Sequence, residues 1–200
     1  MTSTPPFRIL AVCTGNICRS PMVERLLQAE LDEVSPGGFR VTSAGTGALI
    51  GHGIEPHVEG FIRVMGASAA DFQSRQLTPD VLKEQDLVIA LTRAHRSSIV
   101  ELQPALLKKT FTLLELARIL PNIEIHHVTD PRARWESMVP LALRARSLHR
   151  STPQEDDVVD PYRRSDDIYE QMRRDVLTAI GVLAAWANTR STTEIPGSKD

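Results

Sequence analysis

Residues 7–13, Phe-Arg-Ile-Leu-Ala-Val-Cys, run apolar into Thr14-Gly15-Asn16, and Ser20-Pro21 reopens regular structure soon after. This junction constrains the chain more than any other feature. A short buried strand must feed a helix through a tight loop. Ser20 suits the N-cap, and Pro21 suits the first helical turn, where its missing N–H is no loss. Val23, Leu27, Leu31 and Val34 then step along one face at helical spacing until Pro36-Gly37-Gly38 ends the run.

The same rhythm continues. Residues 39–44 read as a second strand, and Gly45–Gly53 as a glycine-containing loop. Ile54, Val58, Phe61, Ile62 and Met65 mark a helix, and Thr78-Pro79 starts a short one. Residues 86–91 read as a third strand, 93–102 as a helix, 109–113 as a fourth strand and 115–120 as a helix. A long helix is expected over 166–188, with Ile168, Met172, Val176, Ile180, Leu183 and Ala187 as its buried stripe. Strands alternating with helices predict an α/β fold with a parallel sheet covered on both faces. Ligands in such sheets sit at the carboxyl ends of strands, where the 13–20 loop lies.

Lys plus Arg number 23 against 25 Asp plus Glu, a net charge of −2. That balance gives no global attraction to nucleic acid or to an anionic membrane, so neither is an expected partner. An anionic substrate would have to be captured by local geometry. No apolar stretch approaches the roughly 20 residues of a membrane span, and no signal peptide is expected. The two cysteines, Cys13 and Cys18, share one short segment. That placement predicts a reducing cytoplasm and a chemical role rather than a disulfide scaffold.

The segment Cys13-Thr14-Gly15-Asn16-Ile17-Cys18-Arg19-Ser20-Pro21 has the makings of a phosphate cradle. Successive backbone N–H groups and a positive helix terminus hold a dianion. Gly15 is expected to adopt backbone angles that other residues resist. Arg19 can present two parallel donors to two phosphate oxygens. Donors and a guanidinium around Cys13 favour its thiolate, a competent nucleophile. Ser20 could donate to that sulfur, and Asn16 could pin the loop.

Following an apolar strand, this segment closely resembles the signature of the low-molecular-weight protein tyrosine phosphatases. The resemblance continues at Ser43-Ala44-Gly45-Thr46, Ser74-Arg75-Gln76-Leu77, residues 86–91 and Asp160-Pro161-Tyr162. It implies a flavodoxin-like, doubly wound, four-stranded parallel sheet with helices on both faces. It also implies a cysteinyl-phosphate intermediate, with no metal and no cofactor. Carried over, Cys13 is the nucleophile, Arg19 the clamp and Asp160 the general acid. Thr14, Gly15, Asn16, Ile17, Cys18 and Ser20 form the phosphate-binding loop, and Leu49 and Tyr162 flank its mouth. The implied partner is a phosphotyrosine-containing protein, a bacterial tyrosine kinase among the candidates. Asp130-Pro131 is a second Asp-Pro and a rival for the acid, but Arg132-Ala133-Arg134 follows it inside the irregular region, whereas Asp160 is followed by Tyr162 and a long amphipathic helix, the family arrangement. Family members often carry aromatics near Leu49 and beside Tyr162, where this chain has Arg163. Arginine phosphatases of the family place Thr where Ile17 stands, so the resemblance implies phosphotyrosine. A Cys at position 18 implies a reversible disulfide with Cys13 under oxidation.

One domain is expected over 1–188, with a family-atypical insertion at about 121–157 and a disordered polar tail at 189–200. Leu141–Arg150 reads as a basic amphipathic helix within that insertion, and the acidic run Glu155-Asp156-Asp157 beside it as its counter-charge on a solvated surface. His126-His127 lacks a ligand set at zinc spacing. Two other functions fit parts of the pattern: an arsenate reductase using an external small thiol, and a non-catalytic phosphoprotein-binding module. The absence of cysteines after Cys18 disfavours a thioredoxin-coupled reductase, and the intact Cys13, Arg19 and Asp160 disfavour a mere binding module.

Overall fold

A computed structural model describes residues 4–125, 128–149 and 151–188; His126-His127 and the expected tail lie outside the described residues. Four strands, β1 (Phe7–Cys13), β2 (Phe39–Gly45), β3 (Leu87–Ala90) and β4 (Thr110–Thr112), form one parallel sheet. Between them run α1 (Arg19–Val34), α2 (Pro56–Val64), α3 (Pro79–Lys83) and α4 (Arg93–Leu102). After β4 come α5 (Leu113–Ile119), α6 (Pro131–Ala145), α7 (Pro153–Asp156) and α8 (Asp166–Asn188).

The strand order is β2-β1-β3-β4. The chain leaves β1 toward β2, then crosses back to place β3 on the other side of β1. The connections after β1 and β3 therefore diverge, and a crevice opens at the carboxyl ends of these two strands. Register places Cys13 opposite Gly45 and Val12 opposite Ala90, so the loop after Cys13 stands at that crevice.

Side chains alternate across the sheet. Ile9, Ala11 and Cys13 of β1 face a large core shared with α1, α5, α6 and α8. Leu10 and Val12 face a smaller one with Leu82, Ile99 and Leu106. Both faces are covered, as the alternation of elements predicts, and the stripe of α8 from Met172 to Ala187 is buried. Thr78 caps α3 by accepting from Val81 N–H, the expected start signal. No described helix is long and apolar enough to cross a membrane.

Two local expectations change. Helix α1 begins at Arg19, and its N-cap, Cys18, makes no side-chain capping bond. Ser20 is thus inside the helix, and its hydroxyl is turned toward Cys13 instead. Of the helix expected over 141–150, residues 141–145 are the end of α6, which starts ten residues earlier, while 146–149 leave the helix as a turn and Arg150 lies outside the described residues. The start signal was Asp130-Pro131: Asp130 accepts from Ala133 N–H at 2.8 Å, and Pro131 occupies the first turn.

Helix α6 packs against the amino-terminal end of the sheet through Trp135. This indole is fully buried and meets Phe39, Phe7 and Trp186 edge-on at 5.5, 6.0 and 6.4 Å. Trp135→Ala should lose about 3–5 kcal/mol of unfolding free energy in a urea titration. Trp135→Phe should lose far less, because the indole N–H has no hydrogen-bond partner among the described residues to forfeit.

Candidate active site

The loop from Cys13 to Arg19 owes its shape to a second loop behind it. Carbonyls of Cys13, Thr14, Gly15 and Ile17 accept from the N–H groups of Thr46, Gly47, Leu49 and Glu55, at 2.9–3.1 Å. A trans peptide points its N–H opposite to its C=O. The N–H groups of Thr14, Gly15, Asn16 and Cys18 are thereby turned away from the supporting loop, and none has a backbone partner among the described residues. The result is a concave row of donors at the start of α1, suited to an anion.

Gly45 is required for this approach, since a Cβ there would lie 2.3 Å from the carbonyl oxygen of Thr14. The supporting loop is braced by the segment 74–77. Gln76 accepts from Ala48 N–H and donates to the carbonyl of Thr46, while the Gly45 N–H donates to the Arg75 carbonyl and the Leu77 N–H to the Gly45 carbonyl. The left-handed backbone expected at Gly15 is found one residue later, at Asn16, with φ of 55°. Asn tolerates that region because its short side chain can bond locally.

Asn16 is fully buried. Its Oδ1 accepts from the Arg75 N–H at 2.9 Å, and its Nδ2 donates to Ser20 Oγ at 2.9 Å and Ser43 Oγ at 2.8 Å. Ser43 passes its proton toward Glu24 at 2.6 Å. Burial pushes the Glu24 carboxyl up, against the Ser43 hydroxyl and the charges of Arg25 and Arg75. Ser20 Oγ lies 3.0 Å from Cys13 Sγ. Because Asn16 occupies a lone pair of Ser20, the serine proton is free to point at the sulfur.

Arg19 is 4% exposed. Its Nη2 contacts Asp160 Oδ2 at 2.7 Å, its Nη1 donates to the Val158 carbonyl at 3.3 Å, and its Nε has no partner among the described residues. Cys13, Thr14, Gly15, Ile17, Cys18, Arg19, Gly47, Leu49, Asp160 and Tyr162 line one cavity of about 170 Å3. The two residues absent from that lining, Asn16 and Ser20, stand behind it and organise it. Leu49 and Tyr162 are partly exposed at the mouth, and the Arg163 guanidinium lies 5.1 Å over the Tyr162 ring. Asp130 is elsewhere, capping α6. Both cysteines are free and buried. Burial, with the neighbouring Cys13, pushes the Cys18 thiol up, which keeps it protonated. No cluster of groups able to hold a metal ion occurs among the described residues.

His95 is a part of this site that carries no motif in the sequence. It projects from the first turn of α4 at the end of β3, 6% exposed, with Nε2 2.9 Å from Thr14 Oγ1 and Nδ1 2.9 Å from Thr92 Oγ1. Its ring bridges the loop after β1 to the loop after β3. Only its proximity to a strand end could have flagged it. Burial, then the Arg19 charge, lowers its pKa to about 4, with Asp160 opposing.

Comparison with known proteins places this architecture among relatives. The family described as low molecular weight phosphotyrosine protein phosphatase matches residues 8–138. The chain is 26% identical over 163 residues to the low molecular weight protein-tyrosine-phosphatase Wzb of Salmonella typhi, covering 82% of each chain. It is 41% identical over 108 residues to a protein-arginine-phosphatase of Geobacillus stearothermophilus, covering 54% of this chain and 70% of the relative. The crystal structure of the tyrosine phosphatase AmsI of Erwinia amylovora superposes with a TM-score of 0.64 at 25% identity, covering 96% of this chain and 97% of that one.

The neutral His95 makes stability depend on pH. It titrates near 6.5 in an open chain and near 4 in the fold, so between those values the unfolded state binds the extra proton. Stability should therefore fall as pH drops through this window and be fully present above it. The full effect is on the order of 3 kcal/mol. Urea midpoints measured at about pH 7 and about pH 4.5 should differ less in His95→Asn than in the parent protein.

Proposed function

The chain belongs to the low molecular weight phosphotyrosine protein phosphatase family, and from that premise we propose that it hydrolyses phosphotyrosine in a protein substrate through a cysteinyl-phosphate intermediate. The observation that carries this reading is the single cavity shared by Cys13, Arg19 and Asp160. The phosphoryl dianion docks on the N–H row and on Arg19, displacing the Asp160 carboxyl from the guanidinium. Two like charges side by side then favour a proton on the carboxyl. The Cys13 thiolate attacks phosphorus, the S–P bond forms, and the ester P–O bond breaks as Asp160 gives its proton to the leaving phenol oxygen. Water then attacks the phosphocysteine. Asp160 takes the water proton, the S–P bond breaks, and phosphate leaves with the thiolate regenerated. Ser20 steadies the sulfur anion in both steps, and Arg19 matches the charge on the equatorial oxygens. Cys18 and Ile17 serve as the apolar wall.

The cavity suits an aryl spacer. Cys13 is 2% exposed at its floor, while Leu49 and Tyr162 stand at the rim. A phosphoprotein bearing phosphotyrosine is the proposed partner, a bacterial tyrosine kinase being one protein of that kind. A second reading, phosphoarginine, is favoured by the 41% identity to a protein-arginine-phosphatase. The apolar Ile17 in the cavity wall argues for the aryl ester.

Three variants and three substrates test the proposal. Cys13→Ser should abolish hydrolysis of phenyl phosphate, and Asp160→Ala should lower kcat/KM by about 10²- to 10⁴-fold. Asp130→Ala should leave it unchanged, and loss of turnover there would reverse the acid assignment. A phosphotyrosine peptide should outperform a phosphoarginine peptide in kcat/KM; the opposite order would establish the second reading.

A further inference from the structure

Residues 151–158 form a strap that leads into Asp160. Of residues 151–160, only Asp156 and Val158 are buried. Asp156 is 1% exposed at the end of α7. Its Oδ1 accepts from Arg118 Nη2 at 2.7 Å and from Ser151 Oγ at 2.8 Å. Its Oδ2 accepts from Arg93 Nε at 2.7 Å and contacts Arg93 Nη2 at 2.6 Å. Arg93 Nη2 also donates to the Ser151 carbonyl at 2.6 Å, closing the clamp on the first residue of the strap. Asp157 Oδ1 accepts from the backbone N–H of Arg93 at 2.7 Å, which seats a carboxylate on the first residue of α4. Val158 N–H donates to the Leu91 carbonyl at 2.9 Å, beyond the end of β3.

Three consecutive residues are thus fixed to α4, α5 and the end of β3, and Asp160 follows two residues later. The remaining span is about 7 Å of chain, too short to wander far from Arg19. Burial alone would push the Asp156 carboxyl up, but the hydrogen bonds from Arg118, Ser151 and Arg93 together outweigh it. The clamp therefore stays charged. A buried ion pair adds little net stability over an apolar replacement, while it fixes one register among several. A strap with so little apolar burial has few other means of fixing one.

We propose that Asp156 and Asp157 are positioning residues for the hydrolysis, setting the place of the Asp160 carboxyl over the cavity by clamping the strap to α4 and α5. The inference rests on the reading of Asp160 as the general acid. It assigns a purpose to the acidic run Glu155-Asp156-Asp157 other than that of a solvated surface; Glu155 alone is spent locally, on the Thr152 N–H.

The test uses leaving groups. Phenyl phosphate needs a proton delivered to its leaving oxygen, whereas dinitrophenyl phosphate leaves without one. Asp156→Asn and Asp157→Ala should lower kcat/KM for phenyl phosphate by about 10- to 100-fold, with little change for dinitrophenyl phosphate. Asp157→Asn retains an oxygen acceptor for the Arg93 N–H and should recover the phenyl rate. Should Asp156→Asn fail to fold, the Asp157 pair decides. Asp160→Ala, measured alongside, must show the same selectivity. If it does and the strap variants lower both substrates equally, or neither, the positioning role is overturned. If Asp160→Ala is itself unselective, the acid assignment falls, and the inference with it.

Discussion

The backbone N–H of Arg75 can only donate, and it points at Asn16 Oδ1. That contact settles which end of a buried amide faces which neighbour. With Oδ1 committed to Arg75, both protons of Nδ2 go to the hydroxyls of Ser20 and Ser43. Each hydroxyl, having accepted, sends its own proton onward, one toward Cys13 Sγ and one to Glu24. A single fixed donor therefore orders four side chains and ends at the sulfur. Turning the amide over would set two donors against each other, and a buried donor left unpaired costs about 1–3 kcal/mol. The left-handed backbone of Asn16 belongs to the same constraint, because it lets one residue serve both the turn and the network.

The site spans both sides of the sheet's switch point, and the start of α4 joins them. His95 reaches from its first turn to Thr14 in the loop after β1. Arg93, two residues before, holds Asp156 and Asp157 of the strap that carries Asp160. The Cys13 loop and the Asp160 strap are distant in sequence, yet one helix terminus bonds to both. Diverging connections leave the crevice open; this helix end sets the distance across it. Register along β1 does the rest, since Cys13 shares its face with Ile9 and Ala11, toward the core of α1 and α8.

What could be read from the sequence follows the range of the forces involved. Period and punctuation are local, so α4 and α8 lie at their expected bounds, and the stripe of α8 is buried from Met172 onward, with Ile168 half-buried at its start. The chemistry of residues 13–20 is also local, since strand end, loop and helix start are contiguous. Cap assignment was harder. Ser20 satisfies the pattern of an N-cap, but a hydroxyl has several uses, and here the nearby sulfur claims it. Asp130 posed the reverse problem: Asp-Pro reads equally as a candidate acid or as cap and first turn, and only the chain's path shows the second. His95 left no readable signal, and Asp156 only that of an acidic run, because their partners, Thr14, Arg93 and Arg118, are brought near only by the fold. No periodicity encodes a contact of that kind.

Arg19 shows why such a site must be anchored from outside. Its guanidinium is buried, one nitrogen faces a carbonyl at a long 3.3 Å, and Nε has no partner among the described residues. A buried cation so incompletely bonded opposes folding rather than assisting it. Its ion pair with Asp160 offsets part of that cost, but this carboxylate is about half exposed and is the partner that a phosphoryl dianion would displace. The stability that holds Arg19 in place must then come from groups the substrate leaves undisturbed. The aromatic cluster around Trp135 and the two hydrophobic cores are such groups. Apart from Cys13, Ile17 and Cys18, which line the cavity, they lie outside it, so the anion can exchange one partner of Arg19 for another without loosening the frame that aims it.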